Sequence, residues 1–114
     1  MTKIKTRNKF ETRLVKQAQT SPHQVEYESE KIPYVIHGNY IPDIIIHKTP
    51  KIYIEAKGHF RPEAKRKMVA VKKLNPELDI RIVFYKYNKT YIRWANRHGF
   101  PFALESIPDE WLIW

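Results

Sequence analysis

The first periodic stretch of the chain has apolar residues at every fourth position. Phe10, Leu14 and Ala18 fall on one side of a helix at this spacing. Asn8, just before them, suits an N-cap because its side chain can accept a backbone N–H from the first turn. The pattern predicts a helix over residues 9–19, closed by the Ser-Pro pair that follows.

The next stretch, residues 25–46, is rich in Val, Ile and Tyr, which favour strands. His-Gly-Asn at 37–39 interrupts it and suits a tight reversal, so we expect strands joined by a turn. Residues 51–56 predict a further strand, because apolar and polar side chains alternate along it. Its two faces are Ile52, Ile54 and Ala56 on one side and Tyr53, Glu55 and Lys57 on the other.

The second half of the chain alternates between helical and strand-like patterns. An amphipathic, strongly basic helix is predicted to begin at Pro62 and to stop ahead of Pro76. A strand over residues 80–85, a helix over residues 88–98 and a closing turn over residues 107–111 follow.

This order of elements predicts an α/β fold in which a mixed central β-sheet is flanked by helices. The strand at 51–56, the basic helix and the strand at 79–85 are expected to form a right-handed βαβ unit. At 114 residues the chain is large enough to bury a core but short for two, so we expect one domain spanning 1–114.

Composition and charge narrow the class of protein. Apolar residues make up 42% of the chain without a run of about 18 that would suggest a membrane span, and the basic N-terminus lacks the apolar stretch of a secretory signal. We therefore expect a cytoplasmic protein, in the host cell if a phage encodes it. The absence of cysteine excludes disulfides and thiolate metal sites. Lys and Arg outnumber Asp and Glu by 21 to 12, a formal charge of +9 that favours nucleic acid as the partner.

The residues with the clearest chemical signal are Asp43, Glu55 and Lys57. Pro42-Asp43 is separated by eleven residues from Glu55-Ala56-Lys57, and each part lies near an end of a predicted strand. Asp43 can meet Glu55 if the two strands are neighbours, and Lys57 shares a face with Glu55. Two carboxylates make the hard-oxygen site that Mg²⁺ prefers, while a lysine beside them can orient water and offset charge on phosphorus. The pattern predicts a site that cleaves phosphodiesters.

The same three residues have a plainer interpretation. A solvent-facing Glu and Lys on an edge strand is an ordinary solubility device, and the bare pattern recurs by chance. Three features favour the chemical interpretation: the strands are otherwise apolar, Gly58 allows a ligand to approach closely, and a basic helix follows at once.

Glu11 also has two interpretations. The first helix can lay it against the sheet edge as an additional metal ligand. Asn8 and Glu11 have the three-residue offset of a capping box, in which the glutamate satisfies a backbone donor at the helix start. The local pattern alone favours the capping role.

Basic residues after the predicted active-site strand are candidate DNA contacts. Phosphate contacts would give affinity and a salt dependence without reading sequence, and a merely solvated helix face is the alternative. The candidates are Lys65, Arg66, Lys67, Lys72 and Lys73 on the helix, with His59 and Arg61 just before it.

On these residues and motifs the sequence resembles the phage endonuclease I family of Holliday-junction-resolving enzymes, within the wider PD…ExK nuclease superfamily. The likeness is collinear over most of the chain and is more specific than the D…E-x-K pattern alone. It runs through Phe10-Glu11, IPYVI at 32–36, YIPD at 40–43, IEAKG at 54–58, NPELDIRIVF at 75–84 and IPDEW at 107–111.

The resemblance implies a restriction-endonuclease-like nuclease core with a composite site. The family's helix glutamate, its aspartate after proline and its E-x-K pair fall on Glu11, Asp43, Glu55 and Lys57, which makes the three acids the expected metal ligands. It thereby overturns the preference for Glu11 as only a cap.

The resemblance also implies an intertwined homodimer, in which the helix glutamate of one chain completes the site of the other. The exchange segment departs from the family here, because only His37-Gly38-Asn39 lies between Ile36 and Tyr40. A tight hairpin at this segment is the alternative to an element-swapped dimer.

These observations predict a Mg²⁺-dependent, structure-selective endonuclease acting on branched DNA such as four-way junctions, with Mn²⁺ as an expected substitute. One alternative is a sequence-selective nicking or homing-type endonuclease that uses the same centre on linear DNA. The other is a non-catalytic DNA-binding module whose carboxylates are only surface charge.

Overall fold

The structure is a computed structural model that describes residues 4–33 and 38–113. Its helices and strands follow the predicted order as far as the third helix, after which a strand and a short helix are added. In chain order the elements are α1 (Lys9–Ala18), β1 (Gln24–Tyr27), β2 (Ile32–Pro33), β3 (Asn39–Tyr40), β4 (Ile44–His47), β5 (Ile52–Lys57), α2 (Pro62–Leu74), β6 (Asp79–Phe84), α3 (Lys89–His98), β7 (Phe102–Leu104) and α4 (Asp109–Ile113).

The central sheet has five strands in the order β1-β4-β5-β6-β7. β4 pairs antiparallel with β1 and with β5, whereas β6 pairs parallel with β5 and with β7. The predicted mixed sheet is therefore confirmed. The predicted β-α-β connection is also present, because α2 joins the parallel strands β5 and β6.

The sheet separates two hydrophobic cores. Side chains of β4 and β5 alternate between them, so Ile44 and Ile54 pack with α1 and α4 on one face. Ile45 and Tyr53 pack with α2 and α3 on the other face. This alternation confirms the predicted faces of β5 and places Glu55, two residues after Tyr53, on the side of α2.

Asparagine side chains cap two helix starts, of which the cap at Asn8 was predicted. The backbone N–H of Glu11 donates to Asn8 Oδ1 at 2.8 Å, and the N–H of Tyr91 donates to Asn88 Oδ1 at 3.1 Å. Gly99 ends α3 with a φ of 73°, a conformation that glycine adopts without strain. In the part of the chain that the structure describes, no helix has the length and apolar character needed to cross a bilayer.

The structure corrects the sequence prediction at the C-terminal end. The predicted closing turn over residues 107–111 is wrong for most of its length, because Asp109–Ile113 forms the short helix α4. β7 was missed altogether, since Phe102–Leu104 is only three residues long and shows no alternation. Its strand conformation depends on pairing with β6, which the local pattern does not reveal.

The predicted turn between the early strands lies partly outside the described residues, which omit 34–37. On either side of it, β2 and β3 form a two-stranded antiparallel ladder in which Ile32 is paired with Tyr40. Ile32 and Tyr40 are both buried against the core on the α2 side. The ladder therefore fixes the position of Tyr40 beside the sheet.

The centre of β5 should dominate the stability of the fold. Ile54 is completely buried in the core formed with α1 and α4. Ile54→Ala is expected to lower the free energy of unfolding by about 2–5 kcal/mol through lost burial and a residual cavity. Urea unfolding would measure it. Leu74→Ala is the control, because Leu74 is 44% exposed and should change stability by less than about 1 kcal/mol; equal losses would contradict the assignment of the core.

Candidate active site

The pairing of β4 with β5 brings Asp43 to Glu55. Ile44 lies opposite Ile54 in this antiparallel pair, so one further step places Asp43 opposite Glu55. The backbone N–H of Ala56 donates to Asp43 Oδ2 at 2.9 Å. The predicted meeting of the two carboxylates across neighbouring strands is therefore confirmed as geometry.

Glu55 is held by two side chains at the end of β5. Its Oε1 accepts from the hydroxyl of Tyr40 at 2.6 Å, and Lys57 Nζ lies 3.2 Å from its Oε2. Glu55 is only 6% exposed, and Asp43 only 4%. The interpretation as solvent-facing solubility charge is therefore wrong for both acids, because neither carboxylate faces solvent.

Glu11 takes part in the start of α1 and also directs its carboxylate toward the sheet. Its backbone N–H is capped by Asn8, while its side chain turns back and accepts the backbone N–H of Arg7 at 3.2 Å. The hydroxyl of Tyr27 donates to the same carboxylate oxygen. The carboxylate is 6% exposed and points toward Asp43 rather than toward solvent.

Glu11, Asp43 and a third acid, Glu28, form what we call the three-carboxylate cluster. One carboxylate oxygen from each of the three residues lies within 4.8 Å of the others. Glu28 follows β1 with a φ of 51° and donates its backbone N–H to the carbonyl of Asp43 at 3.2 Å. Glu55 is not part of this group, and its two oxygens contact Tyr40 and Lys57 instead.

The sequence prediction missed Glu28 and also Arg7. Arg7 Nη2 lies 3.2 Å from Asp43 Oδ1 and 3.6 Å from Glu11 Oε2, and it contacts Glu28 as well. Nothing in the spacing of Glu28 marks it, since Glu-Tyr-Glu at the end of an edge strand is typical of a solvated edge. The signal that identifies it is structural: a non-glycine residue with a positive φ beside a buried aspartate.

Burial shifts the titration of the two sheet carboxylates. Removal from water, reinforced by the charge of Glu55, raises the pKa of Asp43 from 3.8 to about 8. Burial also raises the pKa of Glu55, against the opposing effects of Lys57 and Tyr40. Two buried acids beside a third and a fourth form a donor set of carboxylate oxygens, which fits a hard divalent cation such as Mg²⁺.

Glu28, Asp43, Glu55 and Lys57 line one open cleft of about 430 Å³. α2 forms its opposite wall with Ala64, Lys67 and Met68. Gly58, at the end of β5, has nothing within 4 Å of the position a Cβ would take, so packing in this chain does not demand glycine there. The cleft is lined by Arg7, Glu28, Asn39, Tyr40, Ile41, Asp43, Glu55, Lys57, Glu63, Ala64, Lys67 and Met68.

The seven candidate DNA contacts do not all have the same surroundings. Lys67 is exposed and lines the cleft. Lys65 instead lies over the rings of Phe60 and Tyr91, 5.7 and 5.3 Å from their centroids. Lys72 donates to the carbonyl of Gly99 at 3.2 Å. The remaining candidates are exposed: His59, Arg61, Arg66 and Lys73.

A mixed sheet that presents buried carboxylates and a lysine to an open cleft is typical of a nuclease core. A family model described as phage endonuclease I matches residues 2–113. Endonuclease I of Escherichia phage T7 is 35% identical over 117 residues, an alignment that covers 93% of this chain and 77% of the phage protein. Endodeoxyribonuclease 1 of Enterobacteria phage T3 is 34% identical over 113 residues, covering 90% and 73%. The chain belongs to the phage endonuclease I family.

The raised pKa of Asp43 predicts a stability that depends on pH when divalent metal is removed. Folding favours the protonated carboxyl group of Asp43, because its pKa is higher in the folded protein. The stability that this group contributes is therefore complete below its unfolded pKa of 3.8 and is lost as the pH rises through its folded pKa of about 8. Asp43→Asn stays neutral and can still accept the Ala56 N–H. In EDTA at pH 8, the melting temperature of Asp43→Asn should be roughly 5 °C above that of the wild type, which corresponds to about 1 kcal/mol of stability. At pH 5 the difference in melting temperature should be smaller.

Thermal unfolding followed by circular dichroism would measure this difference. The control is Glu77→Gln, which removes a carboxylate from an exposed position and should leave the melting temperature nearly unchanged at both pH values. If the melting temperatures of Asp43→Asn and the wild type differed by the same amount at pH 5 and pH 8, the raised pKa of Asp43 would be contradicted.

Proposed function

We propose that the protein is a Mg²⁺-dependent, structure-selective endonuclease that hydrolyses DNA phosphodiesters at branches such as four-way junctions. The coarser function, an endonuclease of DNA, rests on membership of the family whose phage T7 and T3 relatives are named endonuclease I and endodeoxyribonuclease 1. The observation that carries the metal-dependent chemistry is the burial of Asp43 beside Glu55, with Lys57 Nζ 3.2 Å from the latter.

Asp43, Glu55 and Glu11 are the proposed metal ligands. Buried carboxylates that repel one another gain most from a divalent cation, and oxygen ligands suit both Mg²⁺ and the expected substitute Mn²⁺. When bound, such an ion supplies Lewis-acid activation of water and stabilisation of charge on the phosphate. The chain's own part is to hold the oxygens in place, through Ala56 N–H on Asp43 and Tyr40 on Glu55.

Lys57 is the proposed catalytic base or water-orienting group. It is partly buried at the end of β5, and its Nζ lies 5.9 Å from the centre of the Phe60 ring as well as beside Glu55. These contacts keep the ammonium at the floor of the cleft. There it can orient the attacking water and offset negative charge that develops on phosphorus.

DNA is the proposed substrate because the cleft lies in a strongly basic protein. Lys67 on the wall of the cleft and the exposed Arg66 and Lys73 on the same helix extend the positive surface away from the carboxylates. Contacts of this kind bind phosphates without reading sequence. Selectivity for branches rests on the family resemblance, as does a site of action in the host cytoplasm.

One alternative function conflicts with the burial of the carboxylates, and the other differs from the proposal only in its substrate. The non-catalytic module requires carboxylates that are only surface charge, whereas Asp43 and Glu55 are 4% and 6% exposed. A sequence-selective nicking endonuclease uses the same centre and differs only in its substrate. Mapping the cuts on a long plasmid separates it from a branch-selective enzyme, because a single recurrent cut sequence would contradict branch selectivity.

Cleavage of a four-way junction is the direct test. In Mg²⁺ the wild type should cut the junction but not a matched linear duplex, and in EDTA it should cut neither. Absence of metal-dependent cleavage would contradict the proposal. Lys57→Ala and Glu55→Ala should each lower the single-turnover rate by about 10³-fold or more while leaving junction binding largely intact. Lys16→Ala, an exposed position on α1 away from the cleft, is the matched control and should cut normally.

A homodimer is part of the proposal, and the position of Glu11 bears on its form. In the described residues the Glu11 and Asp43 of one chain already lie together, so the contacts do not require a second chain to complete the site. β2 and β3 pair within the same chain on either side of residues 34–37. These are the contacts expected of the hairpin alternative.

Mixing two inactive variants distinguishes the two forms. In an element-swapped dimer, a heterodimer of Glu11→Ala and Asp43→Ala contains one intact site and one doubly defective site, so nicking of the junction returns. If Glu11 acts within its own chain, both sites stay defective. From the contacts of Glu11 we expect no recovery. The experiment refolds the two variants together, verifies their mass by sedimentation, and measures nicking; recovered nicking would establish the swapped site.

A further inference from the structure

Arg7 contacts all three members of the three-carboxylate cluster. Its Nη2 lies 3.2 Å from Asp43 Oδ1 and 3.6 Å from Glu11 Oε2, and it also touches Glu28 Oε2. The three carboxylates are spaced so that one oxygen from each lies within 4.8 Å of the others, close enough to share a single metal ion. The guanidinium therefore contacts the same oxygens that a divalent cation would use.

Two of the three carboxylates, those of Glu11 and Asp43, are buried and have hydrogen bonds of their own, whereas Arg7 is not enclosed. The side chains of Glu11 and Asp43 are 7% and 5% exposed, but that of Arg7 is 66% exposed. Ala56 N–H holds Asp43, and Tyr27 and the Arg7 backbone N–H hold Glu11. Tyr27 also hydrogen-bonds the Arg7 side chain. An exposed guanidinium can return to water at little cost, so it can leave without disturbing the acids.

We propose that Arg7 is a resident counter-ion of the Glu11–Glu28–Asp43 cluster that a divalent cation displaces, and that the released guanidinium then binds a DNA phosphate at the mouth of the cleft. This inference rests on the proposed metal-dependent function and adds two residues to it. Glu28 becomes a further carboxylate ligand. Arg7 becomes a positioning residue for the substrate rather than a catalytic group.

The chemistry of the metal-free and metal-bound cluster supports the exchange of Arg7 for a divalent cation. A divalent cation has twice the charge of the guanidinium and binds carboxylate oxygens at shorter range, so it competes successfully for buried acids. The planar guanidinium fork matches a phosphate as well as it matches a carboxylate, and it can bind either with two hydrogen bonds. Arg7 also lines the same cleft as Lys57 and Lys67. Its release therefore adds a phosphate-binding group to that cleft.

Titration of the DNA-free, full-length protein with Mn²⁺ in a calorimeter tests the displacement. Arg7→Gln should bind Mn²⁺ roughly tenfold more tightly than the wild type, because no cation has to leave the cluster. Glu28→Gln should bind it more weakly. Lys16→Gln removes the same charge from an exposed position outside the cleft and should bind Mn²⁺ like the wild type.

Binding of a labelled four-way junction tests the release. All proteins carry Lys57→Ala so that the DNA stays intact. With Mn²⁺, adding Arg7→Gln should weaken binding about fivefold and lower the slope of log K against log salt by about one, as expected for one lost phosphate contact. With EDTA, the same change should have little effect, because Arg7 is then held by the carboxylates. A merely structural role would affect both conditions alike.

The outcomes separate this inference from the proposed function. If the wild type binds no Mn²⁺, the proposed metal-dependent function fails. If the wild type binds Mn²⁺ and Arg7→Gln binds it equally or more weakly, only the displacement is overturned. An equal loss of junction affinity with and without Mn²⁺ overturns the release. Should Arg7→Gln fail to fold by circular dichroism, Arg7→Lys retains the charge and should keep wild-type Mn²⁺ affinity while losing part of the metal-dependent junction affinity.

Discussion

The antiparallel pairing of β4 with β5 is the constraint on which the site depends. Ile44 and Ile54 are opposite each other and completely buried, so the register is fixed by the hydrophobic core beneath the sheet. Because side chains alternate along a strand, a slip by one residue would turn Asp43 and Glu55 toward opposite faces. The same apolar residues that stabilise the fold therefore determine that Asp43 and Glu55 meet across β4 and β5.

That meeting is unfavourable for the fold by itself. Burial of the Asp43 carboxylate, reinforced by the charge of Glu55, raises its pKa to about 8, so keeping the two acids ionised side by side lowers the stability of the fold. The chain offsets part of this effect with Tyr40 and Lys57 on Glu55 and with Ala56 N–H on Asp43. Retaining such a pair in an otherwise apolar sheet is typical of a functional site, where stability is lost in favour of chemistry.

The sequence predicted those parts of the site that follow from strand periodicity. Alternation placed Glu55 and Lys57 on one face, and two strongly apolar neighbouring strands made Asp43 their expected partner. Glu28 and Arg7 could not be predicted in this way, because they reach the site through a positive φ after an edge strand and through a segment ahead of α1. The strand β7 escaped prediction for a related reason, since its three residues acquire strand geometry only from β6.

Lys57 and Arg7, the two cations of the site, have different surroundings, which suit the different roles proposed for them. Lys57 is carried on a central strand, is 22% exposed and faces one acid, Glu55, so its place is fixed by the sheet. Arg7 precedes the first helix, is 66% exposed and faces three acids at once. A fixed ammonium suits a group that acts on a reacting water, whose position must be reproducible. An exposed guanidinium suits exchange, because it can compensate the acids before a metal arrives and bind phosphate afterwards. In the proposed exchange, one side chain would therefore compensate charge in the metal-free protein and position the substrate once the metal is bound.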